Sequence, residues 1–350
     1  MVHPGVFVTD RFFIELKQKV SARLATEGRT PYGGAPMVLK ALALLTYWAA
    51  CYALWIWAGS HGAVWAFVGL LPLMGAMVLY QLGVFHDASH GALSRHAWVN
   101  RIAQLSLNVA GASTISWHHE HVVRHHGQTN IPGHDTDLDS GGFLRFHPAQ
   151  ERKWVHRFQH LYAWPLYGVV MLRWAWFEDF DDLVRNSYHL APKARAMHVF
   201  EVLLSRVLHS GLYIAAPAVV FGVWKALMLY AALYITIGIV VSGIFVLAHV
   251  SSVQAFPKTR EDLPRDWARF QLATTANFAT QHGWLTWAIG GLNHQVEHHL
   301  FPTLSHRNFG VVQEVVRAHC AQNGVPYLEF PSVWAALKSH YLHLRNLGQA

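Results

Sequence analysis

The sequence is poor in charged residues and in cysteine. Asp, Glu, Lys and Arg make up 13% of its 350 residues, whereas a soluble domain contains roughly 25%. Its two cysteines, Cys51 and Cys320, are too few for a disulfide framework or for the thiolate ligand sets of iron–sulfur clusters and structural zinc sites. Hydrophobic residues, in contrast, make up 53%. The composition therefore favours a membrane protein over a soluble domain.

Long apolar runs supply the candidate membrane spans. Four of them approach or reach the roughly 20 residues that cross a bilayer as a helix, and we predict spans at about Met37–Trp57, Val64–Phe85, Val207–Trp224 and Ala226–Ala248. The linker Gly59–Gly62 joins the first two, and Lys225 joins the last two. Each pair is therefore predicted to be a helical hairpin that returns to the side on which it starts.

The two segments outside the hairpins, about 86–206 and 249–350, are rich in His, Trp and Arg. We predict that they form one helical cap. All Lys and Arg residues except Lys225 lie in these segments, in the N-terminal arm or at span ends on the same side. Because positive residues accumulate on the cytoplasmic side of a membrane, the cap and both termini are predicted to be cytosolic. The expected fold class is an all-α integral membrane protein with a single domain over residues 1–350.

Histidine is unusually frequent, with 26 residues, and three groups of it stand out. They are His86 with His90, His121 with His125 and His126, and the doublet His298-His299 in the stretch GLNHQVEHHLFP. Residues four apart share one face of a helix, whereas adjacent residues point about 100° apart. A pair can therefore chelate one metal ion, and a doublet can serve two. All three groups lie in segments predicted to face the cytosol next to the membrane, so they can converge there.

The residues alone leave the metal open, since imidazole binds Zn, Cu, Fe and Ni. The chain has no His-Glu-x-x-His motif, which supplies the general base of zinc proteases. A haem would be expected to have histidine ligands within the spans, where only His209 clearly falls. A non-enzymatic membrane metal-binding or transport protein stays open as an alternative, although transport is poorly served by spans without carboxylates.

The histidine groups resemble the three histidine boxes of the membrane fatty acid desaturases, here His86-Asp-Ala-Ser-His90, His121-x-x-x-His125-His126 and Gln295-x-x-His298-His299. The flanking runs His156–Tyr162 and Gly290–Pro302 are similar to the bacterial linoleoyl-CoA-desaturase-like, front-end branch, in which the third box often begins with Gln. The likeness covers nearly the whole chain. It implies an oxidoreductase with a non-haem di-iron centre that uses O2 to introduce a double bond into a long acyl chain.

The resemblance also implies the ligand set. Its members are His86, His90, His121, His125, His126, His298, His299, Gln295 (directly or through a bound water) and His249 at the cytosolic end of the fourth span. His249 can instead be a helix-end histidine at the membrane interface, and His294 competes with Gln295 because it lies four residues before His298. The carboxylates Asp87, Glu120 and Glu297 sit beside ligands in the sequence. They either accept the second ring N–H of a ligand or are solvated charges.

Partners and substrate follow from the same resemblance. Many relatives carry a fused cytochrome b5 domain, for which the segment before the first span has no room, so we expect a separate electron donor: a ferredoxin, or cytochrome b5 with its reductase. The acyl chain is expected as an acyl-CoA, an acyl-ACP or an acyl lipid in a bacterial inner membrane. Membrane lipids, and no nucleic acid, are the other expected partners. Hydroxylases, ketolases and acetylene-forming enzymes share the boxes and remain alternatives.

One acidic run, Asp135–Gly141, begins like a calcium-binding loop. It lacks the loop's glycine at position six, where Ser140 stands, and its glutamate at position twelve, where Phe146 stands. We therefore expect the run to belong to the polar cap, where it either holds basic neighbours or contacts a polar substrate headgroup.

Overall fold

The structure is a computed structural model that describes residues 11–185, 187–262 and 266–349. These residues are mostly helical, and their one sheet is a short parallel pair, β1 (Asn277–Phe278) with β2 (Glu329–Phe330). Four of the helices are long and apolar enough to cross a membrane. The predicted all-α fold class is confirmed.

The helices follow one another along the chain with short connections. They are α1 (Arg11–Thr26), α2 (Gly34–Ser60), α3 (Ala63–Ser89), α4 (Ala97–Ala110), α5 (Thr114–Trp117, continued by the π-helical His118–His125), α6 (Gln159–Arg173, continued by the π turn Trp174–Glu178 and by Asp179–Arg185), α7 (Pro192–Phe221), α8 (Val223–His249), α9 (Trp267–Thr274), α10 (Gly283–Ala288), α11 (Gln295–Leu300), α12 (Phe309–Gln322) and α13 (Val333–Gln349). Short 3-10 turns lie at Thr136–Leu138, Trp154–Phe158, Arg260–Asp262 and His306–Asn308.

The four candidate spans are α2, α3, α7 and α8. Between 28% and 44% of the most apolar stretch of each is buried, so most of their apolar side chains face outward, as in helices surrounded by lipid. The two hairpins close on each other at the end away from the cap. There a side chain on Gly59 of α2 would meet the ring of Phe221 at the end of α7, 1.9 Å from the nearest ring atom. Only glycine allows this contact.

The second hairpin differs from the sequence prediction in two ways. The chain turns at Gly222, which has φ +84°, and Lys225 lies inside the first turn of α8 rather than in the connector. A positive φ strains any residue with a Cβ, so the turn forms at Gly222 and not at Lys225. In addition, α7 begins at Pro192 instead of near Val207. The first turns of α7 are polar, so hydropathy alone does not show where this helix begins.

Most of the remaining helices lie in the two segments that the sequence predicts as a cap. There α1 packs on α12 and α9, and its residues Phe12, Leu16 and Val20 belong to one buried apolar cluster with Leu300 of α11 and Val316 of α12. Helix α6 packs along α8, where a side chain on Gly238 would come within 2.7 Å of the carbonyl oxygen of Gly168. This close approach makes α6 one wall of the space between α3 and α8.

Candidate metal centre

Two π-helical segments determine the directions of the histidine side chains in the first two groups. The π turn Gln81–Phe85 ends immediately before His86, and the second histidine group lies in the π-helix His118–His125. The wider π turn places the His121 and His125 rings in a stack with centroids 5.4 Å apart. The sequence predicts an α-helical face for this pair, and the π geometry corrects that expectation. Such π segments recur at functional sites because they re-aim side chains out of the regular helical rows.

The three boxes and the end of α8 converge into two groups of buried histidines. One group contains His86, His90, His121 and His298, and the other contains His125, His249 and His299. Within each group, one ring nitrogen from every residue lies within 4.8 Å of the others. His126 lies between the groups, since its ring stacks on His299 at 4.2 Å and is 4.6 Å from that of His298. Helices from four separate parts of the sequence thus supply two adjacent groups of histidines that could each hold a metal ion.

The ring nitrogens of these histidines are largely without partners. Buried nitrogens that have no hydrogen bond to a described residue are Nε2 of His90, His125, His298 and His299 and both nitrogens of His126 and His249. In the first group, Nε2 of His86 lies 3.1 Å from Nε2 of His121. An unpaired buried polar atom costs roughly 1–3 kcal/mol, so this many in one place are explained best by metal ions that bind their lone pairs.

Burial also sets the protonation of the imidazoles. It lowers the pKa of His121, His126, His298 and His299 well below the usual range, and neighbouring histidines lower it further. The rings are therefore neutral at pH 7. Neutral imidazole is the form that binds a metal ion.

His125 is held by carboxylates from the acidic run. Its Nδ1 atom lies 3.1 Å from Oδ1 of Asp135 and 3.2 Å from Oδ2 of Asp137. Burial alone would lower the pKa of His125, but the two carboxylates outweigh it and raise the pKa to about 9. They fix a proton on Nδ1 and so turn Nε2 towards the second histidine group. Of the two expectations for the acidic run, the structure thus supports contact with a basic neighbour, and Asp135 is a residue of the site that the histidine pattern does not reveal.

A second residue outside the boxes holds His299. The Nδ1 atom of His299 is 2.9 Å from Oε1 of Gln271, whose amide nitrogen donates to the carbonyl oxygen of His126. Gln271 is fully buried on α9. Nothing in the sequence distinguishes it from other glutamines, because only the packing of α9 against α11 brings it to the ring.

In the structure, the three carboxylates that lie beside ligands in the sequence have partners other than the rings of the two histidine groups. Asp87 accepts hydrogen bonds from the Ser305 hydroxyl at 2.7 Å and lies 3.0 Å from Nδ1 of His306. Glu297 accepts from Asn277 and Tyr327, both at 2.8 Å. Both carboxylates tie the helices of the centre to the surrounding cap. On a helix, a residue adjacent to a ligand points away from it, which is why neither reaches a ligand ring.

Glu120 faces the polar end of a cavity rather than a ligand ring, and Tyr188 donates a hydrogen bond to it at 3.2 Å. Burial, with the nearby Asp182 and Glu178, raises the pKa of Glu120 well above its usual range. It is neither a partner of a ligand nor a solvated charge.

The third box contains both candidates for its first position. Gln295 is the first residue of α11, is 1% exposed and lies beside His249, with both amide atoms free of described hydrogen-bond partners. His294 precedes the helix, and its Nδ1 lies 3.7 Å from Glu297 while its ring faces Phe309. His294 is in neither histidine group. The geometry thus favours the register in which Gln295 begins the box.

A cavity of about 490 Å³ reaches the centre from between α3, α6 and α8. Its walls are mostly apolar and include Val78, Leu82, Val170, Ile237, Val241 and Phe245, and it touches His86, His121 and His249. At one end it is lined by polar groups, among them Thr136, Asp139, Ser140 and Arg173. Such a shape accommodates a long apolar chain that has a polar end.

Comparison with known proteins agrees with the fold and the centre. The model of the fatty acid desaturase family matches residues 63–331. The sn-1 linoleoyl-lipid 6-desaturase of Synechocystis is 33% identical over 96% of this chain and 95% of its own length. The acyl-lipid (8-3)-desaturase of Physcomitrium patens is 30% identical over 96% of this chain and 72% of its own, and the sn-1 linoleoyl-lipid 6-desaturase of Arthrospira platensis is 28% identical over 95% and 92%. The resemblance inferred from the histidine boxes is confirmed. The chain belongs to the fatty acid desaturase family and is a membrane acyl desaturase.

Proposed function

We propose that this desaturase is an O2-dependent di-iron enzyme that acts on an acyl chain carried by a membrane lipid. One observation supports this above the others: a buried cluster of histidines, rich in nitrogens without partners, lies against an apolar cavity with a polar end. Metal ligands and a channel for an acyl chain are the two requirements of acyl desaturation.

Iron is the metal that the family implies, and the residues fit it. The proposed ligands are His86, His90, His121 and His298 for one ion and His125, His249 and His299 for the other, with His126 between them and Gln295 acting directly or through a bound water. When bound, two irons supply the activation of O2 that allows hydrogen to be removed from two adjacent methylenes. The protein's own residues orient the ligands: Asp135 fixes the proton of His125, and Gln271 fixes that of His299.

The apolar cavity supports a long acyl substrate. Burial of a methylene is worth about 0.8 kcal/mol, so the walls between α3 and α8 favour binding of a chain that extends past the histidines. They also keep water away from the reacting carbons. The relatives are named as acyl-lipid and linoleoyl-lipid desaturases, which favours a lipid over an acyl-CoA or acyl-ACP. Their names differ in the position of the double bond, so the position stays open.

The expected orientation belongs to the same proposal. Basic residues lie on the side of the cap, and this supports a cytosolic cap in a bacterial inner membrane with both termini in the cytoplasm. The external electrons then come from a cytosolic donor, a ferredoxin or cytochrome b5 with its reductase.

The test is expression of the full chain in a host that has no desaturase, with linoleate supplied and with lipids and thioesters analysed by mass spectrometry. We expect a new double bond in glycerolipid acyl chains, about two irons per purified chain and no haem absorption band. The His298→Ala variant should lose both product and iron, while the exposed Lys17→Gln variant should keep both. Product first seen on acyl-CoA or acyl-ACP would overturn the proposed carrier. Stoichiometric zinc, with no activity gained on iron loading, would overturn the di-iron centre.

A further inference from the structure

The buried side of α7 is unusually polar for a candidate membrane span. Five of its buried side chains are polar or charged, namely His198, Glu201, Ser205, Arg206 and His209. Most of them recur at intervals of three or four residues and so share one face of the helix. None of the five belongs to a histidine group of the centre or lines the acyl cavity. Because polar side chains on a membrane helix are costly and are usually retained for a function, this face needs an explanation.

The polar face of α7 packs on residues 108–116, at the end of α4 and the start of α5, which we call the corner. The partner of His198 is the hydroxyl of Ser116, whereas Ser205, Arg206 and His209 bind the carbonyl oxygens of Asn108, Gly111 and Val109, respectively. A side chain on Gly111, which has φ +96°, would lie 2.8 Å from Nδ1 of His209. The corner therefore fits closely against α7 and cannot shift without breaking several hydrogen bonds.

Glu201 lies in the middle of this face and is 4% exposed. Its Oε1 atom accepts hydrogen bonds from the backbone N–H of Thr114 at 2.9 Å, the hydroxyl of Thr114 at 2.5 Å and Nδ2 of Asn108 at 3.0 Å. Its Oε2 atom faces the half-exposed Arg101 at 3.5 Å. A buried carboxylate is tolerated only where such partners compensate it. Because a single oxygen accepts all three hydrogen bonds, a glutamine at this position would also accept them.

The corner begins the helix that carries the second histidine box. Thr114 is the first residue of α5, and Thr114–Trp117 continues without a break into the π-helix His118–His125. His121 lies seven residues beyond Thr114, about 10 Å along the axis at about 1.5 Å per residue. A tilt of about 5° at Thr114 would therefore move this ring by roughly 1 Å, whereas metal–ligand distances vary by only about 0.2 Å.

The two ends of this helix are held from different sides. At the far end, Gln271 donates to the carbonyl oxygen of His126. At the near end, α7 binds the corner directly and also through Asp179 of α6, which accepts the N–H of Ser113 at 3.0 Å and lies 2.9 Å from the guanidinium of Arg206. Helices of the π type that exceed one turn are rare, so the direction of this one depends on contacts with its neighbours. The near end therefore depends on the polar face of α7.

We propose that Glu201 is a positioning residue, which fixes the direction of α5 so that His121 and His125 each reach a different metal ion. The proposal rests on the proposed metal centre. Glu201 does not line the acyl cavity, and its hydrogen bonds go to the corner rather than to a ligand. Since His121 and His125 belong to different histidine groups, a shift of α5 disturbs both ions together. Loss of Asp135, in contrast, acts at the position of His125 alone.

Cobalt(II) tests this role without catalysis, because its visible absorption reports the number and geometry of its ligands. The full-length metal-free protein is titrated with Co2+ in detergent, and the absorbance and the unfolding midpoint are recorded for each variant. Glu201→Leu keeps a side chain of similar size but has no acceptor, so we expect the affinity for both ions to fall about 10- to 100-fold and the absorption of both to change. Glu201→Gln keeps the acceptor oxygen and should bind both ions as the unmodified protein does.

Two further variants separate positioning from stability. The hydroxyl of Tyr52 donates to the carbonyl oxygen of Leu212 on α7 at 2.7 Å. Tyr52→Phe therefore loses a hydrogen bond of the same helix away from the corner, and it should lower the unfolding midpoint without changing Co2+ binding. Thr114→Val removes the hydroxyl but keeps the backbone N–H, and it should weaken binding of both ions as Glu201→Leu does, to a smaller extent. It serves as the test if Glu201→Leu does not fold.

A folded Glu201→Leu protein that binds two Co2+ ions with unchanged affinity and absorption would overturn the proposal and leave Glu201 as a contact that only stabilises the fold. Weaker binding of one ion alone would overturn it too, because α5 serves both. If Glu201→Gln is as impaired as Glu201→Leu, the negative charge and not the shared oxygen holds the helix, and the proposed mechanism is wrong. An unmodified protein that binds no Co2+ would instead show that the proposed metal centre has failed, whatever the variants do.

Discussion

Asp135 and His125 form a buried pair in which a carboxylate oxygen lies 3.1 Å from Nδ1 of the ring. The second oxygen of Asp135 accepts the backbone N–H of Asn130 at 2.8 Å. In Asp135→Asn, the amide NH2 would face either that N–H or the protonated Nδ1 of His125, so one hydrogen bond is lost in both orientations. We expect metal affinity to fall about 10- to 100-fold at the position of His125, which iron analysis after a chelator challenge measures.

The matched control for that substitution is Asp139→Asn, because Asp139 belongs to the same acidic run but accepts from the backbone of Gly141 and not from a ligand. It should retain two irons. An Asp135→Asn protein that resists the chelator as well as the unmodified protein does would contradict the role of this pair.

The register of the third box predicts different outcomes for adjacent residues. Gln295→Leu keeps the size of a buried side chain but removes its polar atoms, so we expect at least about a tenfold loss of turnover. His294→Gln should retain iron and product, because His294 lies outside both histidine groups and its Nδ1 faces Glu297 at 3.7 Å, a contact that a glutamine amide can replace. Product yield and iron content in the two variants show whether Gln295 or His294 begins the third box. An iron-poor His294→Gln beside an active Gln295→Leu would make His294 the ligand.

Gly290 fixes the distance between the third box and α3. Its φ is +64°, and a Cβ would lie 1.9 Å from the carbonyl oxygen of Leu82, so Gly290→Ala must push the two segments apart. We expect it to destabilise the protein by about 1–3 kcal/mol or more, seen as a lower midpoint of thermal unfolding in detergent. Gly75→Ala on α3 is the control, since a Cβ there meets no atom within 4 Å. Equal unfolding midpoints for the two variants would refute the packing argument.

The acyl cavity can be filled without touching the metal ligands. Val241 on α8 lines the cavity, and Val241→Trp should reduce conversion of an 18-carbon chain by about tenfold or more by displacing it from the centre. Iron content should not change. Val219→Trp is the matched control, because Val219 is 87% exposed on the outer surface of α7. Normal conversion by Val241→Trp would show that the substrate takes another path.

The orientation of the hairpins predicts where reporters become active. A reporter fused after Ala350 should be active only in the cytoplasm, whereas reporters inserted at His61 or Gly222 should be active only in the periplasm, because these positions are the turns of the two hairpins. A periplasmic C-terminus would invert the proposed arrangement of the cap.

Local sequence patterns predict the membrane spans and the histidine groups of this protein. Four apolar runs predict the candidate spans, since their length alone matches a bilayer, and the spacing of His86, His121 and His298 with their neighbours indicates candidate ligands for a metal. Both signals are local, because they depend on residues that one helix or two joined helices bring together. The turn at Gly222 shows the limit of such reading: hydropathy favoured Lys225 as the connector, whereas the positive φ that a glycine permits decided the position.

Only the tertiary structure decided which groups complete the centre. Gln271 on α9 belongs to no motif, and it reaches His299 because helices distant in the sequence pack together. Asp135 lies in a run that resembles only the start of a calcium-binding loop, and the fold of that run brings it to His125. The packing of the helices also places Asp87 against His306, although its position next to His86 in the sequence left open either a ligand partner or a solvated charge. A sequence specifies which face of a helix a residue occupies. What lies opposite that face depends on the packing of helices, and this packing is a property of the whole fold.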